Sequence, residues 1–216
     1  MDKTQILEAI KKVRESAPKR KFNQTFDFIL NLKEINLKKP EQKVDIFVPL
    51  PNGPGKKRKV CALIDESMFT EAKAIFDKII LKSDFKNIDK KEIKKLAQEY
   101  DFFIAQANIM PDVASTFGKI LGTRGKMPNP KSGAIISPKA VLKPVYDKFQ
   151  KVVRVITKNE AALKCPVGTE AMKDEEIAAN IEAVYNAALH ALPGEAGNIK
   201  DVLLKLTMSA PVKVGN

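Results

Sequence analysis

Tryptophan is absent from this sequence, histidine occurs once and cysteine twice. Cys61 and Cys165 stand too far apart for a CxxC metal knuckle, and one isolated disulfide would be odd in a chain with no export signal. Both read as reduced, semi-buried thiols. A Ser-His-Asp or Cys-His arrangement would have to use His190, which falls near the end of an expected helix, where the macrodipole favours it, and no nucleophile elbow accompanies it. HExxH, GxGxxG and acidic metal clusters do not occur. No run of roughly 18 apolar residues exists, and the opening Met-Asp-Lys-Thr-Gln-Ile has no apolar signal core. The absences exclude a membrane span and leave catalysis without a visible cast. The expectation is a cytoplasmic protein that is not an enzyme and needs no metal or cofactor.

What is present points to a polyanion. Hydrophobic residues make up 44% of the 216, enough for a packed core, and 38 Lys plus Arg against 26 Asp plus Glu give a formal charge of +12. Cations placed on phosphates release condensed counterions, so nucleic acid is the favoured partner. An anionic membrane is the weaker alternative, because no long basic amphipathic helix with aromatic anchors is visible. The excess is uneven. Residues 1–66 carry 15 basic and 9 acidic side chains, residues 67–158 carry 18 and 9, and residues 159–216 carry 5 and 8.

Along the chain, residues 2–16 have Ile6, Ile10 and Val13 at helical spacing, with Asp2 available as a cap. Residues 22–32 alternate, with Phe26, Phe28, Leu30 and Leu32 on one face, and Val44, Ile46, Val48 and Leu50 repeat the pattern. The turn Pro51-Asn52-Gly53-Pro54-Gly55 predicts a hairpin whose returning strand is 59–64. After about residue 66 the character changes. Helices are expected at 69–79, after Asp89 with a capping box to Glu92, after a cap at Asp112, and over 138–150. Strands are expected at 79–82, 101–105 and 152–156. Strand–helix alternation of this kind implies a small parallel α/β unit. A strand at 159–165, a long helix at 174–192 and a last strand at 201–208, with Val202, Leu204, Leu206 and Met208 on one face, complete the chain.

The richest local signal is the Gly/Pro-rich basic stretch 118–133, in which Lys119, Arg124, Lys126 and Lys131 supply cations. Glycines permit close backbone approach and prolines stiffen the loop, so it suits phosphate contact; an ordinary exposed basic loop explains it equally well. It is not a Walker loop, because Ile120 stands five residues before Gly125 and Met127 follows Lys126. Lys19-Arg20-Lys21 and Lys56-Lys57-Arg58-Lys59 are further basic runs that solvated surface would also explain.

The string Arg-Gly-Lys-Met-Pro-Asn-Pro-Lys-Ser-Gly at 124–133 resembles the signature loop of the L-one family of ribosomal proteins. Lys21-Phe22-Asn23-Gln24-Thr25-Phe26-Asp27, the stretch 48–59 and Leu206-Thr207-Met208-Ser209 resemble three other segments of that family, in order, and the likeness spans essentially the whole chain and leans toward archaeal members. The resemblance implies an α/β and α+β protein of two domains: a discontinuous α+β domain from 1–66 plus 159–216, and an inserted Rossmann-like three-layer α/β domain at 67–158. It implies a structural large-subunit protein that binds a 23S-type rRNA junction to form a mobile stalk and assists release of deacylated tRNA from the exit site. It further implies a translational repressor that binds its own mRNA, monomeric off the ribosome. Carried over by position, the rRNA contacts would be Lys21, Phe22, Thr25, Asp27, Thr207, Met208 and Ser209. Alternation by itself would put Phe22 and Met208 in the core instead. Ser209 stands where the family usually has glycine, and Asp27 where it usually has glutamate. Lys119, Arg124, Lys126 and Lys131 would add weaker RNA or phosphate contact. The competing reading is a Rossmann-like enzyme or binding protein for a phosphorylated ligand.

Overall fold

The computed structural model describes residues 1–138 and 140–215. The chain divides into two compact units, Met1–Lys56 with the chain from Lys151 onward, and Lys57–Gln150.

The first unit is built on α1 (Lys3–Ser16), β1 (Thr25–Leu32), β2 (Asp45–Pro49), β7 (Val152–Ile156), β8 (Ala162–Thr169), α6 (Asp174–Ala191), β9 (Ile199–Leu206) and β10 (Val212–Lys213). Strict alternation in β1 buries Phe26, Phe28, Leu30 and Leu32. That face packs under Ile6, Ile10 and Val13 of α1 and Ile177, Ile181 and Val184 of α6. The sheet order is β10-β9-β1-β8, with every pairing antiparallel. Both partners of β1 come from the far end of the sequence, and their inward residues Leu163, Val167, Leu204 and Leu206 enter the same core. Side chains of the other sheet face, such as Asp27, Ile29 and Lys205, are half-buried and lie outside it.

The second unit holds β3 (Val60–Ile64), α2 (Phe69–Lys73), β4 (Lys78–Leu81), α3 (Lys90–Glu99), β5 (Phe102–Gln106), α4 (Met110–Thr123), β6 (Ile135–Ile136) and α5 (Leu142–Lys151, which ends one residue into the first unit). Its sheet is parallel, in the order β4-β3-β5-β6. Residues from α3 and α4 pack on one face with Cys61, Leu63 and Phe103, and residues from α2 and α5 on the other with Val60, Ala62 and Ile104. This is the three-layer α/β arrangement, and the whole chain combines α/β with α+β.

Several expectations are corrected. The strand at 60–64 does not return as a hairpin onto β2. It is buried at all five positions and lies between parallel neighbours β4 and β5, while β2 pairs with β7. A strand apolar on both sides needs cover on both faces, which a hairpin with one wet face cannot give. The boundaries therefore sit at 56/57 and 150/151, not at 66/67 and 158/159. The strand at 60–64 belongs to the inserted unit and the strand at 152–156 to the outer one. The helix expected from Asp112 begins at Met110, since Pro111 fits the first turn; the Asp112 carboxylate pairs instead with Lys82 at 3.1 Å. Asp89 occupies the N-cap of α3 without making a side-chain cap bond. The expected 138–150 helix starts at Leu142, placing Pro144 in its first turn, and Lys139 lies outside the described residues. Residues 118–123 of the supposed loop are the last turns of α4.

Candidate nucleic-acid interface

At one end of the antiparallel sheet the start of β1, the end of β8 and the exit from β9 lie side by side, because Thr25 pairs with Thr169 and Phe26 with Leu206. The Thr25 amide donates to Thr207 Oγ1 at 3.1 Å, and that hydroxyl donates back to the Thr25 carbonyl at 3.3 Å. Gln24, fully buried, fastens the rest. Its Oε1 accepts from the Met208 amide at 3.1 Å, its Nε2 donates to the Pro18 carbonyl at 3.1 Å, and its own carbonyl accepts from the Glu170 amide at 2.9 Å. One glutamine thus fixes the entry to β1, the turn after β9 and the segment after β8.

The tight turn after Leu206 is closed by Ser209. Its Oγ accepts from the Leu206 amide at 2.8 Å and lies within bonding reach of the Leu206 and Ala210 carbonyls. The Ser209 side chain is therefore turned inward and nearly buried, so it adds no bulk to the surface. Met208, at the crown of this turn, is 51% exposed, and Phe22, in the segment before β1, is also 51% exposed. Neither is a core residue. Alternation fails at Met208 because the strand ends at Leu206. A single exposed apolar side chain is ordinary on a protein surface, but two large ones at the same strand end suit a contact surface. Lys21 is exposed beside Phe22.

Asp27 lies opposite Lys205 on β9 and, past a bulge in the β1–β8 register, opposite Pro166 on β8. Burial raises its pKa, and the charges of Lys205 and then Lys56 oppose that rise. Lys56 follows a turn built by Gly53 and Gly55, at φ +66° and +72°. A Cβ on Gly55 would lie 2.5 Å from Thr169 Oγ1 and 2.7 Å from Met172 Sδ, so only glycine lets this turn sit against the end of β8. Asn180 of α6 anchors the turn from below. Its Nδ2 donates to the Gly53 and Val167 carbonyls at 2.8 and 2.7 Å, and its Oδ1 accepts from the Asn52 amide at 3.1 Å. Arg14 closes the far side of the same end: it reaches the Glu170 and Met172 carbonyls at 2.8 Å each and the Asp174 carboxylate at 2.8 Å.

The structure thus brings Thr25, Asp27, Thr207, Met208 and Ser209 together, with Lys21 and Phe22 leading into the same strand end. Gln24 and Asn180 are not site residues on the sequence reading, and Gly55 and Lys56 figure there only as part of a hairpin turn and of a basic run. The available signals were a glutamine at an inward position of an alternating strand and an asparagine on the apolar stripe of α6.

The basic residues of 119–131 belong to the other unit. Lys119 and Arg124 are exposed on and just after α4, and Lys131 is exposed in a turn where Asn129 Oδ1 accepts from its amide at 2.9 Å. Gly133, at φ +77°, closes that turn. Lys126 has different surroundings: its Nζ donates to the Tyr100 carbonyl at 2.7 Å, capping the end of α3, and burial lowers its pKa. It holds the loop in place. Both thiols are buried, in separate units, and burial pushes each up to about 12. Among the described residues no group of three or more His, Cys, Asp or Glu could hold a metal ion, and no helix is long and apolar enough to cross a membrane.

Known proteins match the chain over nearly its whole length. The chain is 40% identical over 212 residues to the large ribosomal subunit protein uL1 of Nanoarchaeum equitans, covering 96% of this chain and 98% of that one. It is 39% identical over 217 residues to uL1 of Pyrococcus abyssi, with 99% and 96% covered. It is 40% identical over 213 residues to uL1 of Methanothermobacter thermautotrophicus, with 97% and 98% covered. Residues 10–210 match the Ribosomal protein L1p/L10e family, and the chain belongs to that family.

Proposed function

We propose that this protein is a structural component of the large ribosomal subunit and binds a structured junction of its rRNA through the strand end that carries Thr25, Asp27, Thr207 and Met208. The observation that carries the reading is the pair of exposed apolar side chains, Phe22 and Met208, on backbone fixed by Gln24 and the Thr25–Thr207 bonds. Structured RNA is recognised through shape, 2′-hydroxyls and unstacked bases, not through charge density alone. A rigid edge that presents hydroxyls, one carboxylate and two apolar covers for sugars or base faces suits that task, with Lys21 on phosphate. Lys119, Arg124 and Lys131 on the inserted unit would add sequence-indifferent phosphate attraction. Lys126 would act indirectly, by holding its loop. The finer roles follow the family: forming the mobile stalk, assisting release of deacylated tRNA from the exit site, and repressing translation by binding the protein's own mRNA, as a monomer off the ribosome.

Replacing Phe22 and Met208 together by alanine tests the placement. Binding to a large-subunit RNA fragment carrying the junction should weaken about a hundredfold or more, from about 1–3 kcal/mol of lost base stacking on Phe22 and about 1.5–3 kcal/mol of lost apolar burial at Met208, with far-UV dichroism unchanged. Unchanged affinity would remove the site from this strand end. The competing reading, a site for a phosphorylated ligand, separates by thermal shift: structured RNA should raise the melting temperature and nucleotides should not.

A further inference from the structure

Asp27 is a carboxylate in a place that an RNA-binding surface does not ordinarily favour. It is half-buried, next to where phosphates would come, and an approaching polyanion disfavours its ionised form further. The fold surrounds it with specific features. Lys205 is its register partner on β9. The register shift beside Phe26 and Asp27 leaves Val167 of β8 as the extra residue, so β8 bends where it passes Asp27, as bulged strands do next to functional sites. Lys56 arrives from the other side on the turn that Gly55 seats against Thr169 and Met172 and that Asn180 pins at Gly53. Other groups on the neighbouring strands are accounted for. Lys164 of β8 is spent on Glu160 at 2.6 Å, and the Cys165 thiol stays protonated on the core side. No salt bridge joins Asp27 to either flanking lysine among the described residues, so its carboxylate oxygens stay available while two cations stand close by.

We propose that Lys205 and Lys56 are positioning residues that keep Asp27 ionised within the RNA interface, so that its carboxylate accepts hydrogen bonds from an RNA hydroxyl or amino group. The inference rests on the reading of this strand end as the RNA site and adds a mechanism to it. Burial and the two opposing charges act on Asp27 in the directions this requires. Two consequences follow. Affinity is fully present above the Asp27 pKa and is lost as pH falls through it. Removing a lysine raises that pKa, so the loss begins at higher pH.

The test uses the full chain and a transcribed large-subunit RNA fragment bearing the junction, with affinity measured between about pH 4 and pH 8, a window that spans carboxylate titration. Protonation of the RNA bases is common to all variants and cancels. K205Q and K56Q should each move the acid limb to higher pH, and K205R should restore it. D27N should bind about tenfold to a hundredfold more weakly at neutral pH, the range for losing one charge-assisted hydrogen bond, and should lose the difference as the wild type is acidified. If K205Q instead weakens binding equally at every pH and flattens the salt dependence, Lys205 is a phosphate contact and the proposal fails. If D27N binds as tightly as wild type, Asp27 is not an acceptor and the proposal fails while the Phe22 and Met208 result stands. If affinity rises on acidification, the carboxyl donates in its neutral form, which reverses the mechanism.

Discussion

Asn180 is the polar group on which the interface turn most depends, and the cost of removing it can be worked out. The side chain is fully buried on the apolar stripe of α6 and makes three hydrogen bonds, two as donor to the Gly53 and Val167 carbonyls and one as acceptor from the Asn52 amide. Asn52 is exposed, so its amide can turn to water, but Gly53 and Val167 are buried. In N180A two buried carbonyls lose their partner, at about 1–3 kcal/mol for each group left without one. The truncation adds a small cavity, and partial relaxation offsets some of both terms. The net loss should be about 3 kcal/mol, read as a lower urea midpoint at unchanged slope. The turn at 53–56 also loses its anchor, so RNA affinity should fall even where the protein remains folded. N180D should be at least as damaging, because a carboxylate cannot donate to either carbonyl. N52A is the control and should cost under about 1 kcal/mol, since its own side-chain bond to the Glu176 carbonyl is exposed. A loss below about 1 kcal/mol for N180A would refute the claim that this asparagine holds the turn.

Other consequences can be checked individually. Because burial raises the folded-state pKa of Asp27, its ionisation opposes folding at neutral pH and the penalty fades as pH falls. D27N should therefore raise the melting temperature of the free protein near pH 7, with the gain shrinking in acid, while weakening RNA binding; a lower melting temperature at both pH values would contradict this. With both thiols pushed up to about 12, native protein should resist a thiol reagent near pH 8 and react with two equivalents only on unfolding, as absorbance at the released chromophore would show. K126Q should leave the Tyr100 carbonyl at the end of α3 with a weaker partner, costing about 1 kcal/mol in denaturant unfolding. If its main role were phosphate contact, stability would not change. F117A removes a fully buried ring from the α3–α4 side of the parallel sheet and should cost about 3–5 kcal/mol by the same assay.

How much could be read from the sequence depends on how local each signal is. The alternation of Phe26, Phe28, Leu30 and Leu32 and the helical stripe Ile177, Ile181 and Val184 are periodicities within one element, and both elements formed where they indicated. Strand partners are not written in such periodicities. The sheet joins β1 to β8 and β9 across more than a hundred residues, and nothing within 25–32 names those neighbours. The strand at 60–64 was misassigned for a readable reason: a turn rich in Gly and Pro suggested a hairpin, although the continuous apolar run already matched a buried parallel strand. The two-residue strands β6 and β10 are too short for any period to show. At the interface, Phe22 and Met208 were assigned to it through resemblance, against what alternation implies, and they are exposed. Gln24 and Asn180 went unnoticed because a lone polar residue among apolar ones carries no sign of which backbone groups it will satisfy.

The central claim, that this protein recognises RNA structure beyond attracting its charge, is tested most directly by one binding series. The full chain is titrated with the large-subunit RNA fragment bearing the junction and with a scrambled duplex of equal length, across increasing salt. The account predicts a preference of roughly a thousandfold or more for the junction that persists as salt rises. Equal affinities that fall together with salt would contradict it, leaving a basic protein with no specific RNA site.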